Sequence, residues 1–381
     1  MSALGVRLSV MAGKTIPIPL PEPIVSRLRS VKVTETDTQR SAFTLVFDAG
    51  RSGPAAAFDV PLMAGGAIGP GLRVVVSVWF GAWPTVLMDG IVSDIQLAPG
   101  DSPGAATLTV TGDDISVLLD RHAVSRQHAT PTDFVTVLSV LAPYVAQGLV
   151  PLVIPPLDLD VRLPIEGVTS QQSTDLEFLT TLAERHGYVA YCIPGPAPGV
   201  STFYWGPPVR VGIPQPALSI DLGAETNVLT PPTFRADAMS PVTVEGSVQD
   251  SRSGSTIPVR SMASLRLPLA ALPMRVLNGL DTRSRQSRES GPGATTAVAR
   301  AQAAADRSDD NAVTGEGVLD AGRYGGILRA RGLVGVRGAG WSHDGLWYVR
   351  KVEHDIAPGG YQQKFTISRE GYGSTLPVVL T

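Results

Sequence analysis

Two short runs in this chain contain side-chain types that act in catalysis. Ser342, His343 and Asp344 are consecutive, and they are the residue types of a catalytic triad. Three consecutive residues cannot converge as nucleophile, base and orienting acid, so we interpret this run as a turn within a β-hairpin. Asp113 and Asp114 offer two carboxylates for acid–base chemistry or metal binding. Adjacent residues on a helix point apart, however, which favours a helix-capping role for this pair.

The remaining reactive residue types give little support for a metal site or a nucleophile. The five histidines, at positions 122, 128, 186, 343 and 354, show no pairing with an acid at metalloprotease spacing. The chain has no Gly-x-Ser-x-Gly motif and no P-loop. Cys192 is the only cysteine, and its strand-like surroundings predict a buried thiol. We therefore expect no catalytic site, no metal and no cofactor, although carboxylates that meet only in the fold stay open as an alternative.

Composition limits the possible functions and the fold class. The net charge of −3 and the isoelectric point near 6.0 provide no basic field for binding nucleic acid or an anionic membrane. No basic segment followed by an apolar one begins the chain, so we expect synthesis and folding in the cytoplasm, with no membrane segment. The 381 residues suggest two to four domains, and 40 glycines with 32 prolines favour many short strands over long helices. The predicted class is mainly β with some α.

Two segments, residues 71–112 and 332–371, share one plan of short alternating strands joined by glycine-rich turns. Val74, Val76 and Val78 have the same parity in the first segment, as do Phe365 and Ile367 in the second, which is the period of a half-buried strand. The segments lie about 260 residues apart, too far for a solenoid repeat. They predict two related β-modules in one subunit, with two unrelated meanders as the alternative. We expect the first module to close into a barrel by about residue 112.

Three helices are predicted outside these modules. The best defined begins at a capping box of Thr174 and Glu177 and ends before Gly187. Its apolar face consists of Leu176, Leu179, Leu182 and Ala183. An earlier helix follows Pro131, with an apolar face of Phe134, Leu138, Leu141 and Val145. Residues 294–307 are rich in alanine and need a partner surface to be stable as a helix.

Two segments are candidates for contact with other subunits. Prolines alternate through residues 16–23 and cannot donate ladder hydrogen bonds, so this part should form an extended arm. Residues 281–293 are polar and contain Arg283, Arg285 and Arg288. They form either a docking loop for an acidic partner or a solvated loop. We expect both segments to become ordered on assembly.

The order of several short motifs resembles a known family. The motifs are Val86-Leu87-Met88-Asp89-Gly90-Ile91, the run of residues 112–121 beginning Gly112-Asp113-Asp114, and residues 173–179, 182–188, 345–354 and 360–369. Over roughly residues 25–375 the chain resembles the phage late control protein D family, the baseplate hub proteins of contractile tails and injection systems. It also resembles the hub part of type VI secretion spike proteins. The positions that carry the resemblance, all expected to be structural, are Gly90, Asp113, Asp114, Leu118, Asp120, Phe178, Leu179, Ala183, Gly187, Tyr188, Tyr348, Val349 and His354.

The resemblance implies a trimer in which each subunit supplies two tail-tube-like barrel modules around a lumen, making a pseudo-hexameric ring. Such a ring would join a threefold spike to a sixfold inner tube. The implied partners are the spike protein, a tail-tube or tube-initiator protein and baseplate wedge proteins, without recognition of a nucleic-acid sequence. The particle could be a phage tail, a tailocin or an injection system. The chain ends at Thr381 with no β-helix and no lysozyme-like domain, so we expect the piercing spike and any cell-wall enzyme to be separate chains.

The expected domains follow from the same reading. They are an extended N-terminal arm at 1–24, the first tube-like module at 25–125, an inserted α/β domain at 126–215, the second module at 216–250 and 310–375, and a docking segment with the Ala-rich helix at 251–309. A glycan- or receptor-binding, or carbohydrate-active, β-protein of a phage baseplate is the alternative function. Such a protein would expose aromatic platforms, whereas the five tryptophans here are scattered along the chain.

Overall fold

In a computed structural model the chain is mainly β, as the sequence predicts, and most strands belong to one large, almost entirely antiparallel sheet. The structure describes residues 2–3, 6–14, 16–50, 68–80, 83–100, 105–156, 169–249, 255–261, 264, 266–279, 283–290 and 294–375. The strands are β1 (Ser2–Ala3), β2 (Val6–Gly13), β3 (Ile18–Pro19), β4 (Leu28–Thr36), β5 (Ala42–Asp48), β6 (Arg73–Phe80), β7 (Trp83–Ala98), β8 (Thr107–Asp114), β9 (Ala123–His128), β10 (Leu149–Val153), β11 (Thr169–Thr174), β12 (Val189–Pro194), β13 (Ser201–Gly206), β14 (Gln215–Ser219), β15 (Val228–Ala236), β16 (Val242–Gln249), β17 (Thr256–Arg260), β18 (Ala270–Pro273), β19 (Arg283–Ser290), β20 (Val313–Asp320), β21 (Leu333–Arg337), β22 (Gly345–Ala357), β23 (Gly360–Arg369) and β24 (Gly371–Ser374). The helices are α1 (Glu22–Val25), α2 (Asp133–Leu141), α3 (Asp175–Arg185), α4 (Met274–Asn278), α5 (Ala294–Asp309) and α6 (Ala321–Tyr324), with 3₁₀ turns at Ile115–Asp120, Ala142–Gln147 and Gly223–Glu225.

The first module is a row of six neighbouring strands in the order β2-β6-β7-β8-β5-β4. Val10 of β2 and Val31 of β4, from opposite ends of this row, are buried in the same core as Val76 and Val110. A row whose two ends share one core is rolled in the manner of a barrel. The alternating valines of β6 point into this core, as their spacing predicts.

The second module continues the same sheet. Its strands run β22-β23-β20-β15, and β21 pairs with both β22 and β14. β4 pairs antiparallel with β22, from Val31 opposite Ile356 to Thr36 opposite Lys351. The first module therefore does not close its hydrogen bonding by residue 112, because the free edge of β4 is taken by the second module. The two modules form one continuous sheet.

The N-terminal residues differ from the expected arm. β2 pairs with β6 along its whole length, from Val6 opposite Phe80 to Gly13 opposite Arg73, and its Val6 and Val10 are buried. The prolines that predict an arm begin only at Pro17, and the apolar alternation before them forms an ordinary strand. Even the proline-rich part is anchored, because Ile18 pairs with Ala12 of β2.

The expected second module includes residues 216–250. Residues 242–249 do not join it. They form β16, the centre of a separate sheet in the order β17-β16-β19. The predicted Ala-rich helix is confirmed as α5, and this sheet is the surface that it needs: Val244, Val248 and Val259 pack against Ala297 and Ala301. The predicted loop of residues 281–293 contains the strand β19, while residues 281–282 and 291–293 lie outside the described residues.

The inserted α/β part, as predicted, combines helices with short strands. β10, β13 and β12 form a three-stranded sheet, and β9 pairs with β11. Helix α3 is confirmed, with the Thr174 hydroxyl accepting from the Glu177 amide at 3.3 Å and Gly187 in the left-handed region at φ +66°. Within the described ranges, no helix is long and apolar enough to cross a membrane.

The apolar face of α2 is shifted from the prediction. Val137, Val140 and Leu141 are buried, whereas Val145 is 48% exposed. The α-helix ends at Leu141 and a 3₁₀ turn that contains Pro143 follows it. The helical period used for the prediction therefore does not extend to Val145.

Candidate functional site

A cluster of buried charged side chains lies where β4 of the first module meets β22 of the second. Glu35 is 4% exposed, its Oε1 lies 2.8 Å from Nη2 of Arg329, and its Oε2 accepts from the Ala330 amide at 3.2 Å. His354 is fully buried beside it, with Nδ1 hydrogen bonded to the Tyr361 hydroxyl at 2.9 Å and Nε2 lying 3.9 Å from Glu35. Burial alone would raise the pKa of Glu35, but the charge of Arg329 and the contact with His354 hold it at about 2. The carboxylate is therefore charged at neutral pH and links the two modules.

Arg331 connects this junction to the inserted domain. Its guanidinium donates to the Thr36 carbonyl oxygen at 2.7 and 2.9 Å and to Oγ of Ser41 at 2.8 Å, both in the first module. It also donates to the carbonyl oxygen of Cys192 and lies 4.1 Å from the ring centroid of Tyr191, both in the inserted domain. Its backbone has φ +70°, which is costly for a residue with a side chain. One strained arginine thus binds all three parts of the chain.

A second buried ion cluster joins the inserted domain to the end of the second module. Arg210 lies 2.6 Å from Asp310 and 3.1 Å from Glu370. Arg266 also contacts Asp310, and its Nη2 donates to the Gly187 carbonyl oxygen at 3.0 Å. Burial raises the pKa of Asp310, against the effect of the two arginines. The parts of the subunit are therefore held by charge as well as by apolar packing.

Three of the sequence-predicted positions are aspartates at the end of β8 and in the 3₁₀ turn that follows it. Asp114 caps the 3₁₀ turn, as its position predicts, accepting from the Ser116 amide at 3.0 Å and the Ser41 amide at 2.7 Å. Burial raises the pKa of Asp114. Asp113 lies opposite Ile91 in the β7–β8 pair, and Asp120 accepts from the Thr174 hydroxyl at 2.7 Å. The two adjacent carboxylates of 113 and 114 do not act as a pair.

Seven of the other predicted positions belong to two apolar regions, whereas His354 lies in the charged cluster of Glu35 and the Gly187 carbonyl oxygen lies in the second ion cluster. Leu118, Phe178, Leu179 and Ala183 pack in the core of the inserted domain, and Tyr188 packs edge-on against the Trp205 ring with centroids 5.0 Å apart. On β22, Val349 and Tyr348 are buried in different clusters on either side of the sheet.

Of the arginines predicted to contact a partner, Arg283 and Arg285 are exposed on β19, which belongs to a sheet separate from that of the two modules. Arg288 is on the same strand, but its side chain lies outside the described residues. The structure therefore does not bring these arginines together with the other predicted positions.

The run of Ser342, His343 and Asp344 forms a turn between β21 and β22, as predicted. Asp344 accepts from the Ala339 amide at 2.8 Å, and the His343 ring stacks on Phe234 with centroids 4.3 Å apart. Arg369 donates to the Asp344 carbonyl oxygen at 3.0 Å. These contacts use the three residues to shape the turn, and across the described residues no three His, Cys, Asp or Glu side chains are placed to hold a metal ion.

Two open clefts flank the junction. The larger, about 760 Å³, has a mixed polar and apolar lining that includes Arg40, Ser116, Asp120 and Leu176. The smaller, about 570 Å³, lies where all three parts meet and is lined by Pro84, Leu152, Tyr204, Arg329 and Arg331 among others. Sequence reasoning missed Glu35, Arg329 and Arg331. A signal existed for Glu35, which has the inward parity of Val31 and Val33 on β4.

Gly90 lies where the β7 and β8 backbones approach too closely for a side chain. A Cβ atom at this position would lie 2.3 Å from the Asp113 carbonyl oxygen and 3.0 Å from the Phe43 ring. We expect Gly90→Ala to lower the free energy of unfolding by about 3 kcal/mol, because the clash is with backbone that cannot move aside. Urea unfolding measures this, with Gly326→Ala as the control, since there the nearest atom is 3.8 Å away. Equal stabilities of the two variants would contradict the predicted clash.

Cys192 is predicted to be unreactive in the folded protein. The side chain is buried, as the sequence predicts, and burial raises the pKa of its thiol well above the ordinary value. We expect Ellman's reagent to label it only after unfolding in guanidinium chloride. Rapid labelling of the native chain would show that the strand is open to solvent.

No protein-family model and no curated protein matches the chain. Its fold is shared with solved structures, among them the tail protein from Neisseria meningitidis MC58, with a TM-score of 0.64 and 12% identity over 97% of this chain and 98% of that one. The 43 kDa tail protein of prophage MuSo2 from Shewanella oneidensis has a TM-score of 0.64 and 14% identity over 96% and 98%. The E. coli c3393 protein, a type VI secretion component described as similar to the T4 tail proteins gp27 and gp5, has a TM-score of 0.57 and 12% identity over 98% and 80%. Identities this low show the fold alone, and the shared fold covers nearly the whole chain.

Proposed function

We propose that this chain is a structural baseplate hub of a phage tail or contractile injection system, of the late control protein D kind. The observation that carries the proposal is the likeness in fold, over almost the full length of both chains, to two tail proteins, one of them from a prophage. The continuous sheet through both β-modules supports it, because a connector under load needs its two halves held as one body.

Three copies would form a ring in which six β-modules surround a lumen. Such a ring has threefold symmetry in its subunits and approximate sixfold symmetry in its modules, so it can join a threefold spike to a sixfold tube. The partners would be the spike protein, a tail-tube or tube-initiator protein and baseplate wedge proteins. The chain would be made and assembled in the cytoplasm as part of the particle, and its work would be mechanical rather than enzymatic.

We propose that the inserted domain of residues 126–215 lies outside this ring. The docking segment would lie there too, and it comprises residues 242–309 rather than 251–309, because β16 pairs with β17 and β19. Arg210 and Glu370 form an ion pair between the inserted domain and the second module, and Arg266 and Asp310 form one between the docking segment and that module, which suits parts that must keep their position under force. The positions that carry the family resemblance, such as Gly90 and Val349, would maintain the fold rather than contact a substrate.

The mass of the purified protein in solution, with and without the spike chain encoded beside it, tests the proposal. A mass of about three subunits that also captures a spike trimer is the expected result. A stable monomer in both samples would contradict it. In that case turnover or binding of peptidoglycan and other glycans should be measured, since that activity would identify the alternative class of baseplate protein.

A further inference from the structure

The strand β19 has one hydrogen-bonding edge without a strand partner in the part of the chain that the structure describes. It pairs in parallel with β16, from Val242 opposite Arg283 to Gln249 opposite Ser290, without any shift of register. The sheet order β17-β16-β19 leaves its other edge at the border of the sheet. An open, regular edge of eight residues presents a row of backbone donors and acceptors to an incoming strand.

The helix that covers this sheet stops short of β19. Helix α5 packs on β16 and β17 through Val244, Val248 and Val259. Arg285 lies opposite Val244 and shares its face of the sheet, yet Arg285 is exposed whereas Val244 is buried. Residues 283–286 are exposed on both faces of the strand. Over residues 283–286, β19 is therefore held mainly by its pairing with β16, and the exposed side chains of this half are accessible to another chain.

Several other border strands of this protein contain prolines, which obstruct pairing, although β9, β11 and β24 contain none. β15 contains Pro231 and Pro232 and has two register shifts. β17 contains Pro258 and β10 contains Pro151. Proline removes a backbone donor and discourages strand addition at an edge. β19 contains no proline, so its edge is not closed in this way.

The charge of this region selects the kind of strand that could add. Residues 242–309 contain nine arginines and six Asp or Glu residues, whereas the whole chain has a net charge of −3. β19 itself has three arginines and one glutamate. Two copies of β19 placed side by side would therefore oppose like charges, which disfavours pairing of the strand with itself.

We propose that β19 binds an extended acidic segment of a partner protein by strand addition. The backbone of the segment would pair with the free edge, and its carboxylates would pair with Arg283 and Arg285. This surface is separate from the ring proposed above and does not depend on the oligomeric state. It also replaces the predicted docking loop with a strand of defined register.

Fluorescence anisotropy of the full chain with a labelled peptide of alternating Glu and Thr, about ten residues long, tests the proposal. Reversing both charges, with Arg283→Glu and Arg285→Glu, should weaken binding about tenfold or more, because two attractive pairs become repulsive. The matched control is Arg235→Glu, which reverses an exposed arginine on the proline-containing border strand β15 and should leave the affinity unchanged. Since these side chains are exposed, the variants should keep the wild-type fold, which circular dichroism checks.

Two further peptides separate strand addition from simple attraction of charge. A peptide of alternating Lys and Thr should not bind, and the Glu–Thr peptide with N-methyl groups on alternate amides, prepared in both registers, should lose binding because donors are removed. Hydrogen exchange of residues 283–290 should slow when the unmodified peptide binds, while that of residues 256–260 should not change. Equal binding of the methylated peptides, equal binding to the charge-reversed chain, or no binding to the wild-type chain would overturn the proposal. If the chain were monomeric but bound the Glu–Thr peptide as expected, the hub proposal would be contradicted and the strand-addition proposal would stand.

Discussion

Replacing Glu35 with alanine is expected to lower the free energy of unfolding by about 3–5 kcal/mol, the usual cost of removing one partner from a buried ion pair. The substitution removes the carboxylate partner of the Arg329 guanidinium, the contact with the fully buried His354 and the acceptor of the Ala330 amide. All three losses fall at the contact between the two β-modules. Urea unfolding followed by tryptophan fluorescence measures the effect.

Glu316→Ala is the matched control, because Glu316 lies exposed on β20 and its loss should change stability by less than about 0.5 kcal/mol. Glu35→Gln keeps the volume and one acceptor oxygen but removes the charge. Its free energy of unfolding should therefore lie between those of the Glu35→Ala and Glu316→Ala variants. Equal stability of the Glu35→Ala and Glu316→Ala variants would mean that the junction contributes nothing to folding.

The same carboxylate gives stability a defined dependence on pH. Its pKa is about 2 in the folded protein, compared with an ordinary value of 4.5. A lowered pKa contributes stability fully above the ordinary value and loses that contribution as the pH falls from about 4.5 towards 2. A shift of this size corresponds to about 3 kcal/mol. The Glu35→Gln variant should therefore lose less stability than the wild type over this acidic range.

Trp347→Ala should also lower the free energy of unfolding by about 3–5 kcal/mol, because it empties a large volume in the second core. Trp347 is fully buried, and its indole nitrogen donates to the His343 carbonyl oxygen at 2.8 Å. The Arg369 guanidinium lies 4.2 Å from the centroid of its ring and would lose that contact. Thermal and urea unfolding both report the change.

Trp341→Ala offers a close control, since this tryptophan lies six positions away and is 49% exposed. Its removal should cost about 1 kcal/mol or less. If the two variants were equally stable, the assignment of Trp347 to the core and of Trp341 to the surface would be wrong.

Local patterns in the sequence predict much of this fold because local physics determines them. The alternating valines of β6 and the capping box at Thr174 each identify an element without knowledge of the rest of the chain. The run from Ser342 to Asp344 cannot be a catalytic triad, because adjacent side chains cannot converge, and its interpretation as a turn is likewise local. Fold class and most elements of the two modules are accessible at this level.

Local sequence patterns do not predict which distant segments pair with one another. Val242 and Val244 predict a strand, but their spacing does not say that it belongs with β17 and β19 rather than with the second module. β19 has no apolar alternation in its sequence, so its strand form could be recognised only from its pairing with β16. The role of Glu35 as a buried ion-pair partner depends on Arg329 and His354, which lie far along the chain.

The pairing of β4 with β22 also sets an order of events during synthesis. Lys351 lies 315 positions after its partner Thr36, so β4 leaves the ribosome long before its second neighbour exists. At 5–20 residues per second the delay is about 15–60 s. For most of its translation the nascent chain therefore exposes the edge of β4, and a fragment that ends before Gly345 would expose that edge permanently.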